Sequence, residues 1–384
     1  MAEILIDATR IVGRLLKRRL ATGIDRVCLA YVARYAPVAR AVLQKGRFGL
    51  ILSKSASREL FSMILEPERS LAPRAAVLIA KSALFPSREA VRPGSLLLNL
   101  GHSGLEQPGY AEWIRKRRLR AVFMVHDLIP VSHPQYCRPT ERLRHERRIE
   151  TILSTAAAVV TNSSATLRAL SVFAAIRGFS MPPSAAAPLA GAALLSTSAS
   201  RPIAQPYFVM LSTIEPRKNH GMILHLWRRL IGRLGQAAPR LVVIGQRGWE
   251  CENVIDLLER DPVLRGAVIQ RSGCSDHELA NYLRHAQGLL FPSFVEGYGL
   301  PLIEALSLGV PAIVSDLPVF RETSGDIPEY LDPLDEAAWM SCIEDFCKSN
   351  SPARSAQLQR MTHFEAPTWA SHFEKFEDLL ERAC

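Results

Sequence analysis

The chain has 384 residues, 48% hydrophobic and 22% charged, which is ordinary for a globular protein and longer than one average domain, so two domains are expected. A formal net charge of +10 favours an anionic partner: nucleic acid, a lipid surface or a phosphorylated substrate. The seven cysteines are odd in number and lack a Cys-x-x-Cys pair, which argues against a disulfide framework or a zinc ribbon, and no apolar run reaches the roughly eighteen residues a membrane span needs.

Residues 3–8 read as a first strand, since Asp7 and Arg10 interrupt any signal-peptide core. Thr22-Gly23-Ile24-Asp25-Arg26 then leads into a helical pattern with Val27, Leu29, Ala30 and Val32. Gly23 there allows close backbone approach to a ligand and serves equally as a plain loop glycine. Between 35 and 95 the apolar pieces 48–52 and 75–79 are consistent with strands. A clearer strand over 95–100 opens the loop Asn99-Leu-Gly101-His102-Ser-Gly104, where His102 reads as a surface histidine in preference to a ligand contact. The strand 120–125 delivers His126 and Asp127 to its carboxyl edge, where open α/β sheets bind ligands.

Three basic runs precede residue 150: Lys17-Arg18-Arg19, Arg115-Lys-Arg-Arg118, and a mixed run with Arg138, Arg142, Arg144, Arg147 and Arg148. Glu141, Glu146 and Glu150 make the last a solvated helix face. The first two lie beside Leu15, Leu16 and Leu20, and beside Trp113 and Ile114, a combination that suits an anionic membrane. Residues 159–164 form a strand and a turn in which Ser163 or Ser164 caps the next helix. The Pro-, Ala- and Ser-rich stretch 178–206 reads as loop and interdomain linker.

A strand over 207–211 begins the second half and runs into Ser212-Thr-Ile-Glu-Pro-Arg217-Lys218-Asn-His220, whose two cations can neutralise a pyrophosphate. Further strands are read at 241–245, at 268–269 and over 310–315; Ser275 or Asp276 caps a helix after Gly273 and Cys274. The richest stretch is 289–306. An apolar strand ends at Pro292, Gly297 and Gly299 turn the backbone, and Pro301 takes the first helical position before a stop at Gly309. The N–H groups near Gly299 and Leu300 then form an anion site, and Glu296 and Glu304 can face one mouth. Residues 369–380 pattern as a last helix with Phe373, Phe376 and Leu379.

The string Phe-Pro-Ser-Phe-Val-Glu-Gly-Tyr-Gly-Leu-Pro-Leu-Ile-Glu-Ala (291–305) resembles the signature of retaining glycosyltransferases of family 4. His-Asp-Leu-Ile-Pro-Val-Ser-His-Pro (126–134) and Thr-Ile-Glu-Pro-Arg-Lys-Asn (213–219) resemble that family's donor-sugar and phosphate segments. The resemblance implies an α/β fold of GT-B architecture: two doubly wound, Rossmann-like domains facing a cleft and competent when closed. It places an acceptor domain at 1–177, a linker at 178–206, a nucleotide-sugar domain at 207–365, and a helix at 366–384 packing back on the first domain. It implies that Glu296 binds sugar hydroxyls, Glu304 the ribose, and Arg217 and Lys218 the diphosphate, with His126 facing the sugar and Asp127 orienting its ring. Gly23, Ser212, Gly273, Cys274, Gly297, Tyr298, Gly299 and Leu300 complete the donor set, and Asp25, Arg26, His102 and Asp127 lie on the acceptor side. Ser212-Thr213 stands where many members carry Gly-Arg, and the sequence leaves open whether Arg217 supplies that charge.

The function implied is metal-independent, cofactor-free transfer of a hexose, foremost mannose from GDP-mannose, to a lipid-linked or growing glycan in bacterial surface polysaccharide synthesis. The expected partners are a nucleotide sugar, a lipid-linked saccharide and an anionic membrane, with no nucleic acid, at the inner face of the cytoplasmic membrane. Two other readings have distinguishable outcomes: a sugar-nucleotide epimerase of the same fold would isomerise donor without acceptor, and a nucleic-acid-binding protein would bind oligonucleotides in a salt-sensitive way.

Overall fold

A computed structural model describes residues 3–17, 22–46, 48–66, 71–194 and 200–383. The chain forms two compact units, Met1–Leu189 with Trp369–Cys384, and Ala190–Thr368.

The first unit holds seven strands: β1 (Ile4–Asp7), β2 (Ala39–Lys45), β3 (Phe48–Ile51), β4 (Leu96–Asn99), β5 (Arg120–Val125), β6 (Ala156–Thr161) and β7 (Ser184–Ala186). Their order is β3-β2-β1-β4-β5-β6-β7, parallel throughout except for β3 against β2. Each residue of β4 is buried, as is Ala121–Val125 of β5. Helices cover both faces of such a sheet, so its strands read as continuous apolar runs. The order reverses beside β1, and the loops leaving β1 and β4 therefore open apart at the carboxyl edge.

The second unit repeats the scheme with β8 (Tyr207–Leu211), β9 (Arg240–Ile244), β10 (Val268–Arg271), β11 (Gly288–Phe291), β12 (Ala312–Ser315) and β13 (Glu329–Leu331). The order is β10-β9-β8-β11-β12-β13, and every pairing is parallel. Its core gathers on the fully buried Trp227 and Trp339. Both indoles are satisfied, by the carbonyls of Pro239 and Asp332, each at 2.9 Å.

The last helix, Trp369–Ala383, belongs to the first unit, as its position in the family pattern implies. Phe373 and Phe376 each set an edge against Tyr31 of helix Gly23–Tyr35, with ring centroids 5.0 Å apart. His372 Nε2 lies 2.8 Å from the Tyr31 hydroxyl.

Several expectations are corrected. A helix, Thr9–Leu16, precedes the one that Gly23 opens. Residues 75–79 lie within helix Leu71–Leu84 and form no strand: Ala72, Ala75, Ala76, Ala80 and Ala83 favour helix, and Pro73 sits in the first turn where its missing N–H costs little. The stretch 178–206 is not wholly linker, because residues 184–186 form β7, and the first unit runs to Leu189. Strand β2 and the helices Glu336–Phe346 and Pro352–Met361 carried no readable signal. Trp113 and Ile114, the apolar partners of the second basic run, are buried in the core. Arg18, Arg19 and Leu20 of the first lie outside the described residues. The mixed run is largely paired: Arg148 reaches Glu106 at 3.1 Å and Glu141 at 2.8 Å, and Arg142 reaches Glu146 at 3.0 Å.

Candidate functional site

In the second unit the strand order reverses between β8 and β11, and the loops leaving these two neighbours carry the charged residues. After β8 the chain makes a short 3-10 turn, Pro216–Lys218, and Asn219 (φ 56°, ψ 35°) turns it left-handed into helix His220–Leu234. Asparagine tolerates that conformation better than most residues. The loop passes hard against the exit of β9: a Cβ on Gly245 would lie 1.8 Å from the Ser212 carbonyl oxygen. Glycine is required there by the neighbouring backbone.

After β11 the loop ends at Gly299 (φ 98°), the cap of helix Leu300–Ser307. Gly299 is the position that needs glycine, since Gly297 is not among the residues with positive φ. Leu300 takes the first helical position and Pro301 the second, one later than expected. The N–H of Phe294 donates to the Arg217 carbonyl at 2.9 Å and ties the two loops together.

Three predicted residues meet here. Glu296 Oε2 accepts from Arg217 Nη1 at 3.0 Å, and its Oε1 accepts a short bond from Lys218 Nζ. Arg217 also reaches the Val295 carbonyl at 3.2 Å and, through Nε, Glu215 at 2.7 Å. The Glu296 and Lys218 side chains are 7% and 8% exposed. Burial alone would raise the Glu296 pKa, but the charges of Lys218 and Arg217 outweigh it and hold the carboxyl at about 2. Burial, with the Arg217 charge, lowers that of Lys218. One buried carboxylate thus holds two cations, of which Arg217 is shared with Glu215, at the carboxyl edge of a parallel sheet.

The other donor-side residues are more dispersed. Glu304 is buried and accepts from the Ala192 N–H at 3.2 Å, so it fastens the entering segment of its unit. Ser212 Oγ lies 3.3 Å from His220 Nε2, and burial with the Lys218 charge pushes that imidazole down to about 3. Tyr298 is buried, leaving its backbone as the group to offer. Gly273 and Cys274 precede Ser275, which proves to be the cap: its hydroxyl accepts from Glu278 N–H at 3.2 Å, while Glu278 accepts from Ser275 N–H at 2.8 Å.

The remaining predicted residues lie in the first unit. His126 follows β5 directly, with Nε2 2.7 Å from the Leu100 carbonyl. A carbonyl only accepts, so Nε2 carries the proton. Asp127 does not orient this ring; its carboxylate accepts from the Ile129 N–H at 3.0 Å. His102 is no surface residue. It is buried at φ 59°, with Nε2 2.7 Å from the Met124 carbonyl and its ring 5.4 Å from His126 and 5.8 Å from His145. Burial is the main cause holding all three imidazoles below their ordinary value.

Asp25 is likewise buried by local structure. It closes a capping box with Thr22 and pairs with Arg10 at 2.7 Å and Arg14 at 2.8 Å, which leaves its carboxylate little capacity for an acceptor sugar. Gly23, exposed, and Arg26, half-buried, occupy the first turn of the same helix. In β6's wake Ser163, not Ser164, is the cap, accepting from Thr166 N–H at 3.0 Å.

One buried group at the first unit's switch point escaped sequence reading. Asp7, at the end of β1, accepts from the Tyr110 hydroxyl at 2.8 Å and from Asn99 Nδ2 at 3.3 Å. Desolvation outweighs these bonds and raises its pKa from 3.8 to about 6. A carboxyl that holds its proton more tightly when folded contributes stability that is present below pH 3.8 and lost as pH rises through about 6. Some 2 units amount to about 3 kcal/mol. Thermal unfolding of Asp7→Asn should vary less across this window than that of the parent; equal slopes would refute the assignment.

Comparison with known proteins agrees with this layout. Residues 198–328 match the family described as glycosyl transferases group 1. The serotype-specific mannosyltransferase WbdA of Escherichia coli is 31% identical over 183 residues, 47% of this chain and 22% of that protein. The chain therefore spans about a fifth of WbdA's length. The O-antigen chain mannosyltransferase B of Escherichia coli is 30% identical over 270 residues, 67% of this chain and 69% of that protein. Among solved structures, Anabaena HepE in complex with UDP and glucose matches with a TM-score of 0.67, at 16% identity and over 100% of both chains. That likeness concerns the fold. Since one relative shares 30% identity over more than two thirds of its own length, and the family pattern falls on the unit that carries Arg217, Lys218 and Glu296, the chain belongs to the group 1 glycosyltransferases.

Proposed function

We propose that the chain moves a mannosyl group from GDP-mannose to a lipid-linked or growing glycan, with retention of configuration and no metal ion, in bacterial surface polysaccharide assembly at the inner face of the cytoplasmic membrane. The observation that carries the reading is the pairing of Arg217 and Lys218 with one buried carboxylate at the β8/β11 switch point. The mannosyltransferase names of WbdA and the O-antigen relative favour the sugar.

Transfer breaks the bond between the anomeric carbon and the diphosphate and leaves negative charge on the departing oxygen. Arg217 and Lys218, held in place by Glu296 before the donor arrives, supply fixed positive charge for it, as the N–H groups of the helix beginning at Leu300 also do. Two preorganised cations thereby serve where other transferases employ a divalent ion. Glu296 keeps its charge at neutral pH, so it can orient sugar hydroxyls as an acceptor while it restrains both cations. His126, whose protonated Nε2 is engaged by Leu100, keeps Nδ1 as an acceptor atom. No helix among the described residues is long and apolar enough to cross a membrane, and the proposed attachment is peripheral.

The test is a donor screen. Purified protein is given GDP-mannose, UDP-glucose or UDP-N-acetylglucosamine, each with a lipid-linked saccharide, and products are identified by mass spectrometry and the new linkage by NMR. Mannosylated acceptor with an α linkage and release of GDP is expected. Transfer from a UDP-sugar alone would replace the donor in this reading.

A further inference from the structure

Helix Leu71–Leu84 is apolar along most of its length, yet only Ala72 and Ala75 are buried. On the 3.6-residue period, Leu71, Ala75, Leu78 and Ser82 turn inward, while Pro73, Val77, Ala80 and Leu84 form one ridge on the opposite side. Val77 is 54% exposed, Leu84 75% and the following Phe85 80%. A surface helix of a globular protein ordinarily shows its polar stripe to water. Here the order is reversed.

Charge accompanies the ridge. Arg74 and Lys81 lie along its flank one heptad apart, Arg88 follows Phe85, and the helix carries no acidic residue. Among the described residues Arg74 has an ion pair with Glu59 at 3.8 Å, and both side chains are exposed. The apolar surface continues past the helix end. A groove of about 800 Å³ is lined by Phe48, Ala83, Pro86 and Trp113 with Lys116 and Arg117, and Glu89 and Glu112 also border it, Glu112 pairing with Lys116 at 2.7 Å. Phe48 is 69% exposed at its rim, and the Arg117 guanidinium lies 4.8 Å from the Trp113 ring centre.

We infer that this face, the Val77–Leu84–Phe85 ridge with its Arg74 and Lys81 flank and the adjoining groove, docks on an anionic phospholipid surface. Exposed apolar side chains bordered by cations match a bilayer interface, in which the apolar groups enter the acyl boundary and the cations stay with the headgroup phosphates. A single scattered apolar residue would mean nothing; a contiguous ridge with a one-sided basic border does. The inference deepens the proposed function by naming the element that would bring the chain to a lipid-linked acceptor, and to that extent rests on it. It adds an element to the sequence reading, which rests on the Lys17–Arg19 and Arg115–Arg118 runs: of their apolar neighbours Trp113 and Ile114 are buried, and the second run enters here through Lys116 and Arg117 at the groove.

The experiment is co-sedimentation of the full chain with vesicles of phosphatidylcholine alone or mixed with phosphatidylglycerol, together with transfer to a water-soluble acceptor analogue. The parent should bind the mixed vesicles and release as salt rises. Arg74→Glu with Lys81→Glu should weaken that partition by about thirtyfold or more, from roughly fivefold per lost charge. Leu84→Ser with Phe85→Ser should weaken it by at least about tenfold. Both double variants should keep the parent's thermal midpoint and its transfer to the soluble analogue. Parent-like vesicle binding by both variants, equal binding of the parent to neutral and anionic vesicles, or a dimer that the Leu84/Phe85 variant dissolves would overturn the inference. Vesicle binding lost in the variants, with no transfer to any acceptor by the parent, would support the surface and refute the proposed function instead.

Discussion

Lys218→Ala is expected to lower the rate of transfer on the order of 100-fold or more, because it removes preorganised positive charge from the place where the diphosphate leaves, with Glu296→Ala equally severe, because it frees both cations and removes the acceptor for the sugar hydroxyls. The two variants should differ in stability. Deleting Lys218 leaves the Glu296 carboxylate buried against Arg217 alone, while deleting Glu296 leaves two cations side by side in a site where burial already depresses the Lys218 pKa. Breaking such a pair from one side costs about 3–5 kcal/mol where both groups are fully buried. Glu296→Gln separates the effects, since it keeps hydrogen-bonding capacity and removes only charge. Its kcat/KM, read beside its thermal midpoint, tells loss of chemistry from loss of fold. Parent-like turnover in Lys218→Ala would end the site assignment.

The pH behaviour has a definite sign. With its carboxyl held near 2, Glu296 is ionised at any neutral working pH and cannot supply an inflection near neutrality. Its stabilising contribution is present above the ordinary 4.5 and is lost only as pH falls toward about 2. Asp7 acts in the opposite direction, over a window that ends near 6.

Gly299→Ala should be nearly as damaging, for a backbone reason. At φ 98° a side chain is strained, and the added Cβ would come 2.5 Å from Phe320 Cε1, itself fully buried and 5.0 Å, ring centre to ring centre, from Phe291. Neither ring has room to retreat. Strain and overpacking together are worth about 3 kcal/mol, which for a unit of this size lowers the thermal midpoint by roughly 10 °C. The helix start would shift with it, so donor affinity should fall even in material that folds. Calorimetry and equilibrium binding of GDP check the two halves of this expectation; an unchanged midpoint would show that Phe320 yields.

How much of this was legible depends on how local each determinant is. The stretch 289–306 could be read because strand, turn and cap follow one another along the chain, each with its own residue chemistry. Buried parallel strands such as 96–99 and 121–125 show themselves as apolar runs for the same reason. The helix Leu71–Leu84 misled, since an apolar helix and an apolar strand look alike over the five residues 75–79. His102 looked like a loop histidine, and only the fold brings the Met124 carbonyl to its ring.

The sequence by itself determined two α/β halves, the glycine-bearing turn, the family, and the residue types that hold a diphosphate. Tertiary structure decided the partnerships. Lys218 and Glu296 are 78 positions apart, and Asp7 and Tyr110 are 103 apart; each pair meets because the strands that deliver them, β8 with β11 and β1 with β4, lie side by side at the point where the strand order reverses. Nothing in local propensity encodes that reversal, which follows from how helices cover both faces of a twisted sheet. The same applies to the exposed ridge of Leu71–Leu84. Its apolar residues are plain in the sequence, but which of them lack a partner is settled only once the rest of the unit has packed.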